Sequence, residues 1–165
     1  MVRRAVGAAA EAGCRRIAVV AGDERDLIET ELRETPAFVI HNPKWKRGLG
    51  TSIHAGLQHL RNALPQMDAV VLLTCDQPFV EAHTISALMT MRADSDKPIV
   101  ASRYANALGV PALFDRSCFE ALLALPHDSG AKALIESRGS AVAEIAFEQG
   151  AIDIDTPADF ERLTS

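Results

Sequence analysis

Short runs of apolar residues alternate along the chain with stretches in which apolar positions recur every three or four residues. The runs are typical of buried strands and the stretches of amphipathic helices. This alternation predicts a layered α/β domain on a largely parallel sheet, and we expect one such domain over residues 1–165. The predicted strands are 16–21, 37–40, 69–74 and 98–102, and the predicted helices cover 53–63, 85–89 and 114–125.

Composition and charge narrow the classes of function. Of the 165 residues, 48% are hydrophobic, which is enough to bury a core. The net charge is −5 and no basic run exceeds two residues, which argues against a duplex nucleic-acid surface. The three cysteines form no C-x-x-C pair, so neither a zinc site nor a disulfide framework is predicted. No apolar run approaches the about 20 residues of a membrane span, and we expect a cytoplasmic protein.

The most apolar predicted strand leads directly to Asp76. Ligands of open parallel sheets bind beyond the carboxyl ends of the strands. A carboxylate there can hold Mg²⁺, which prefers hard oxygen ligands and takes one or two carboxylates together with substrate phosphates. The alternative is that Asp76 only ends the strand or caps a helix, and its position alone leaves both interpretations open.

Asp155 repeats this arrangement near the end of the chain. Ile152 and Ile154 alternate with two aspartates, which predicts a short strand, and Thr156 then fits the cap of a final helix. Asp155 is therefore a candidate second metal ligand. The alternative is that its charge only favours the positive end of the helix.

Two glycine-containing segments precede predicted helices. Residues 47–52 (RGLGTS) lead to Ser52, a potential helix cap, but match neither the dinucleotide fingerprint nor a Walker P-loop. Residues 127–132 (HDSGAK) form either a surface turn or a segment that offers Lys132 and backbone amides to a phosphate. The five histidines show no metal-ligand spacing, and the single tryptophan, Trp45, is predicted to pack under its own loop.

Five segments, taken in order, resemble the MobA-like nucleotidyltransferases, and within them most closely the molybdenum cofactor cytidylyltransferases. The resemblance spans about residues 1–163. The segments are 42–52 (NPKWKRGLGTS), 72–78 (LLTCDQP), 109–114 (GVPALF), 127–132 (HDSGAK) and 154–159 (IDTPAD).

The resemblance implies a Rossmann-like, three-layer α/β/α domain that transfers CMP from CTP to the terminal phosphate of molybdopterin cofactor and releases pyrophosphate. Asp76 and Asp155 would be the catalytic carboxylates and the ligands of Mg²⁺. The segment 48–52 would contact the nucleobase and ribose, and 109–114 with 128–132 would face the pterin. The implied binding residues are Gly48, Gly50, Thr51, Ser52, Gln77, Pro111, Asp128, Gly130 and Lys132.

The chain also departs from the family pattern. The family begins with a central strand and a glycine-rich loop that cradles the triphosphate, whereas this chain begins at the helix that follows them. We therefore expect a gap in the sheet, filled by a homodimer contact or a rearrangement. Val110 and Lys132 replace the usual histidine and arginine. Two other functions stay open: a non-catalytic nucleotide-sensing or accessory relative, and a MobA-like transferase with another acceptor.

Overall fold

The structure, a computed structural model, describes residues 1–152. Helices and strands alternate over most of this range, as the apolar pattern predicts. The helices are α1 (Val2–Glu11), α2 (Arg25–Glu31), α3 (Leu49–Ala63), α4 (Ala82–Asp94), α5 (Phe119–Leu123) and α6 (Ala131–Arg138). The strands are β1 (Ile17–Ala21), β2 (Ala37–His41), β3 (Ala69–Leu72), β4 (Ile99–Tyr104), β5 (Ala107–Asp115) and β6 (Val142–Ala146).

The strands form two separate sheets. β1 and β2 pair in parallel, with Ile17 opposite Ala37. The larger sheet has the order β3-β5-β4-β6. In this sheet β5 is antiparallel to both of its neighbours and β4 is parallel to β6. Three of its four strands therefore point the same way, and the mostly parallel, Rossmann-like α/β architecture expected from the sequence is confirmed.

Alternate residues of β4 and β5 face opposite helical layers. Ile99 and Phe114 pack in a cluster with the apolar faces of α3, α5 and α6. Val100 and Leu113 pack instead with Leu88 of α4. The five side chains are at most 3% exposed. Because successive strand residues point to opposite faces, this burial on both sides gives the three-layer arrangement and explains why these strands read as continuous apolar runs.

A cleft of about 1160 Å³ lies between the two sheets. Every residue of 13–20 and of 63–75 lines it. Since alternate residues of a strand point to opposite faces, such uninterrupted lining means that the edges of β1 and β3 face the cleft. Within residues 1–152, β1 pairs only with β2 and β3 only with β5. The expected gap in the sheet is thus present.

Two helices differ from their predictions. Helix α3 begins at Leu49, with Gly48 as its N-cap, so Ser52 lies inside the helix and is not its cap. The helix predicted over 114–125 is wrong at its start, because Phe114 belongs to β5, where it pairs with Val70 and Ile99. The chain turns helical only after Asp115, whose carboxylate accepts a hydrogen bond of 2.9 Å from the amide of Ser117.

Strand β6 was not predicted. It is short, carries Glu144 at its centre and has a half-buried to exposed pattern, so it lacks the apolar run that marks the other strands. The strand and helix predicted from residue 152 onward fall almost entirely outside the described residues. Among residues 1–152, no helix is both long and apolar enough to cross a membrane.

Candidate functional site

Asp76 lies just beyond the carboxyl end of β3, which ends at Leu72. Its Oδ1 atom is buried and has no hydrogen-bond partner among the described residues. A buried polar oxygen without a partner costs about 1–3 kcal/mol, and more when it is charged. Such an atom in a native protein requires an explanation, for example an ion that is bound in function. A hard carboxylate oxygen at this position fits Mg²⁺ or Mn²⁺.

Gln77 holds the turn that carries Asp76. Its side-chain amide donates a hydrogen bond of 3.0 Å to the carbonyl of Gly150, in a buried position. This bond places the chain that follows β6 beside the Asp76 turn, two residues before the described structure ends at Ile152. The Oε1 atom of Gln77 is buried and unpaired among the described residues. Asp155, the other predicted carboxylate, lies outside those residues.

Gly48 and Gly50 pack directly against the backbone of residues 126–128. A Cβ atom on Gly48 would lie 2.5 Å from the carbonyl oxygen of His127, and one on Gly50 would lie 2.3 Å from that of Pro126. The amide of Gly50 donates a hydrogen bond of 2.9 Å to the His127 carbonyl. Gly48 also has a positive φ of 117°, which favours glycine. These glycines therefore join the 48–52 and 126–130 segments to each other.

Asn42 organises the start of α3 and is a residue that the sequence analysis did not single out. It is 3% exposed. Its Nδ2 donates to Thr51 Oγ1 at 2.9 Å and to Ser52 Oγ at 3.0 Å. Its Oδ1 accepts a hydrogen bond of 2.9 Å from the amide of Lys44. An Asn-Pro step directly after a strand was the available signal, because asparagine there often bonds the backbone two residues on.

Thr51 and Ser52 differ in what their hydroxyls can offer to a ligand. Thr51 is buried, and its hydroxyl donates within the loop, to the Gly48 carbonyl at 2.8 Å or the Lys44 carbonyl at 3.1 Å. Ser52 is half-buried and lines the cleft. Of the two residues, Ser52 is the one whose side chain reaches the space that a ligand could occupy.

The 109–114 segment is mostly interior. Pro111 is fully buried in β5, and its carbonyl accepts a 2.6 Å hydrogen bond from the Ser102 hydroxyl. Gly109, Val110 and Leu113 line the cleft, so they are the residues of this segment that a ligand in the cleft could reach. The hydroxyl of Tyr104 donates to the Val110 carbonyl at 3.0 Å and lies where a Cβ on Gly109 would be.

Lys132 brings a positive charge to the same cleft. It lies in the first turn of α6, its side chain is 60% exposed, and its Nζ is 3.9 Å from Glu136 Oε1. Gly130 caps this helix and packs on Leu49, while Asp128 is exposed in the preceding loop. An exposed ion pair of this length contributes little, so the ammonium group is available to an anionic ligand.

The other candidate side chains are those of Cys75, His54, His127 and Trp45, and Nε2 of His54 is buried without a partner among the described residues. Burial, and then the neighbouring charge of Asp76, raise the pKa of the Cys75 thiol, which disfavours the reactive thiolate. The rings of His54 and His127 meet edge to face with centroids 6.0 Å apart. Trp45 packs against Gly22 and donates to Asp23. Among residues 1–152, no three His, Cys, Asp or Glu side chains form a group that could hold a metal.

The described site therefore consists of one carboxylate at a strand end and hydroxyl, backbone and ammonium groups along a cleft. A single carboxylate suits a metal whose other ligands include substrate phosphates and water. The arrangement can hold an anionic, phosphate-bearing ligand and balance its charge. It offers no activated nucleophile among the described residues, so it favours positioning and charge neutralisation over covalent chemistry.

A family model described as a MobA-like NTP transferase domain matches residues 1–142. The Purine catabolism protein PucB of Bacillus subtilis (strain 168) is 28% identical over 121 residues, which cover 72% of this chain and 57% of PucB. This chain thus spans little more than half the length of that curated relative.

Solved structures share the fold. A manganese complex of Rv0371C from Mycobacterium tuberculosis H37Rv superposes with a TM-score of 0.73 at 25% identity, covering 96% of this chain and 83% of that one. A nucleotidyl transferase from Methanothermobacter thermautotroptrophicus, Mth528, has a TM-score of 0.76 at 17% identity, covering 98% and 77% of the two chains. At that lower identity the likeness concerns the fold alone.

Proposed function

We infer that this chain, which belongs to the family of MobA-like NTP transferase domains, transfers CMP from CTP to the terminal phosphate of a molybdopterin-type acceptor. In this reaction a phosphate oxygen of the acceptor attacks the α-phosphorus of CTP. The bond from that phosphorus to the bridging oxygen breaks, and pyrophosphate leaves. The observation that carries the proposal is the buried Oδ1 of Asp76 beyond the end of β3, which has no hydrogen-bond partner among residues 1–152.

Asp76 is the proposed ligand of Mg²⁺, together with Asp155. Bound there, the metal would neutralise charge on the phosphates and help to orient them. The manganese complex of Rv0371C supports a divalent cation in this fold. Gln77 contributes by fixing the turn through its bond to Gly150, so the carboxylate is mounted on a rigid strand end.

The nucleotide is proposed to occupy the cleft beside the start of α3. Ser52 presents its hydroxyl there, whereas Gly48, Gly50 and Thr51 build the loop that holds it. The acceptor is proposed to lie toward Gly109 and the 128–132 segment, where Lys132 faces its phosphate. Lysine supplies charge at that position without the bidentate geometry of arginine.

We also propose that the chain forms a homodimer. The edges of β1 and β3 line the cleft without strand partners among residues 1–152, and unpaired strand edges favour association with another chain. A second copy that pairs with these edges, and leaves the start of α3 and Lys132 open to the nucleotide and the acceptor, would shield the edges from water. Sedimentation equilibrium over a range of concentrations tests this part separately. A monomer at all concentrations would contradict it.

Turnover is the direct test of the transfer reaction. The chain is incubated with Mg²⁺, CTP and molybdopterin, and pyrophosphate release is followed together with the mass of the product. We expect release only with the acceptor present, a product heavier by CMP, and no turnover by Asp76→Ala. Release that persists in Asp76→Ala would remove Asp76 from its role.

Pyrophosphate release, together with nucleotide binding measured by calorimetry, separates the alternatives. A sensing or accessory relative would bind nucleotide without releasing pyrophosphate. A transferase with another base or acceptor would bind GTP or another nucleotide as tightly as CTP, or would release pyrophosphate with a different phosphorylated acceptor. The proposed function requires CTP and the molybdopterin-type acceptor together.

A further inference from the structure

We propose that Asn42 is a positioning residue that fixes the Ser52 hydroxyl as a hydrogen-bond donor toward the nucleotide. The inference rests on the proposed function, because it assigns a polarity to one group of the proposed nucleotide site. It begins with the backbone amide of Lys44. This group can only donate, and it lies 2.9 Å from Oδ1 of Asn42. The carboxamide oxygen must therefore face Lys44, which fixes the orientation of the whole side chain.

The other end of the carboxamide then faces the two hydroxyls. Nδ2 carries two protons and no acceptor lone pair, and it lies 2.9 Å from Thr51 Oγ1 and 3.0 Å from Ser52 Oγ. Each hydroxyl oxygen therefore accepts one hydrogen bond from Asn42, and the hydroxyl must donate its own proton to another acceptor. Asn42 thus makes three side-chain hydrogen bonds, as expected of a side chain that is only 3% exposed.

The two hydroxyl protons have different destinations. The proton of Thr51 is directed to the carbonyl of Gly48 or Lys44, inside the loop. Within residues 1–152, the Ser52 hydroxyl has no acceptor for its proton, and Ser52 lines the cleft. Its proton is thus directed at the ligand, where it suits a phosphate, ribose or carbonyl oxygen. A hydroxyl that already accepts a hydrogen bond also donates a stronger one.

A double-mutant cycle tests the coupling between the two residues. The dissociation constant of CTP with Mg²⁺ is measured by calorimetry for wild type, Asn42→Ala, Ser52→Ala and the double variant. Each single change is expected to weaken CTP binding about tenfold, the value of one hydrogen bond to a charged or polar ligand. In the Ser52→Ala background, Asn42→Ala should add less than about twofold.

A purely structural role for Asn42 predicts a different pattern. The loss from Asn42→Ala would then be the same with and without the Ser52 hydroxyl, and multiplicative effects of this kind would overturn the inference. Asn62→Ala is the matched control, since Asn62 is exposed on the far part of α3 and bonds only Gln58 among the described residues. We expect it to leave CTP affinity unchanged. Mn²⁺ affinity without nucleotide should be equal in all the variants.

A spectroscopic measurement keeps the inference testable if Asn42→Ala does not fold. In the nucleotide-free protein, the two side-chain amide protons of Asn42 are observed by NMR. Ser52→Ala should shift the resonance of one proton upfield and leave the other in place. If neither resonance moves, the proposed bond is absent and the inference is wrong. If wild type binds no CTP while the resonance moves as expected, the nucleotide site is at fault and the proposed function fails, and the ligand-directed part of the inference falls with it.

Discussion

The loop around Asn42 and the turn at Asp76 adjoin the same cleft, through Ser52 and Cys75 respectively, but their polar groups differ in hydrogen bonding. At Asn42 both ends of the side chain are hydrogen-bonded, and the hydroxyl of Thr51 is engaged within the loop. At Asp76 a buried carboxylate oxygen has no partner among the described residues. A polar network in which every group is hydrogen-bonded makes a structure rigid and specific. A buried polar group without a hydrogen-bond partner lowers stability and suggests a site for a ligand. The difference separates the part of the site that positions a ligand from the part that binds its metal.

The largest change in CTP affinity is expected when Asp76 loses its charge. We expect Asp76→Asn to weaken metal-dependent CTP binding by at least about 100-fold, because loss of a direct ligand exceeds the effect of an outer residue. The ligand-free variant should be as stable as wild type or more so, since it no longer buries an uncompensated charge. Calorimetry and urea denaturation measure the two effects. A large loss of stability would mean that Asp76 has a structural partner.

The close contact between the 48–52 and 126–130 segments should not tolerate an added methyl group. Gly50→Ala places a Cβ 2.3 Å from the Pro126 carbonyl, and we expect a loss of about 2 kcal/mol in the free energy of unfolding. Gly7→Ala is the control, because Gly7 lies in α1 and, apart from its own helical turns, no described atom is within 4 Å of its Cβ position. That change should stabilise the protein by up to about 1 kcal/mol. Equal effects of the two changes would contradict the loop contact.

Unlike Oδ1 of Asp76, the carboxylate of Asp115 has hydrogen-bond partners among the described residues. Burial acts to raise its pKa, but hydrogen bonds from Arg92 and Ser117 outweigh it and hold the pKa of Asp115 below its usual range. We expect Asp115→Asn to cost about 1 kcal/mol at pH 7, a modest value because the Arg92 side chain is 36% exposed to solvent.

The pH dependence of this loss follows from the direction of the shift. A carboxyl group whose pKa is lowered by folding stabilises the protein above its unfolded-state value, near 3.9, and this stabilisation disappears as pH falls through the lower folded value. The difference between wild type and Asp115→Asn should therefore shrink when urea denaturation is repeated from pH 7 down to pH 3. A difference that stays constant with pH would show that Asp115 acts through packing.

The smallest expected effect is at Gln77, whose Nε2 is hydrogen-bonded and whose Oε1 has no partner among residues 1–152. Gln77→Met removes the bond to the Gly150 carbonyl, which is unfavourable, and the buried Oε1, which is favourable. The two changes should offset each other to within about 1 kcal/mol of unfolding free energy. CTP binding should weaken nevertheless, because the Asp76 turn loses its anchor. A loss above about 2 kcal/mol, measured in urea, would mean that Oε1 has a partner in solution.

The sequence predicts the parts of this molecule in which one pattern determines the outcome. The apolar run of β3 correctly placed Asp76 at a strand end, and β1 and β4 were located by similar runs. The gap between β1 and β3 was expected from the resemblance to the family, and within residues 1–152 β1 pairs only with β2 and β3 only with β5.

Other features depend on contacts between distant segments and left little local signal. The spacing of Phe114 with Cys118 and Leu122 fits a helix, but pairing with β3 and β4 holds Phe114 in a strand. The resemblance implies that Gly50 binds the ligand, but the contact that requires a glycine there is with the carbonyl of Pro126, 76 positions later in the sequence. Tertiary packing of this kind overrides local propensity.

Metal-dependent nucleotide binding at Asp76 is tested most directly by calorimetric titration of the chain with CTP. The titration is done in Mg²⁺ and in excess chelator, for wild type and for Asp76→Asn. We predict that wild type binds CTP only with the metal, that GTP does not replace CTP, and that Asp76→Asn binds neither nucleotide measurably. CTP binding of equal strength in the chelator, or in Asp76→Asn, would contradict the proposal that Asp76, whose Oδ1 has no partner among residues 1–152, holds the metal of a nucleotide site.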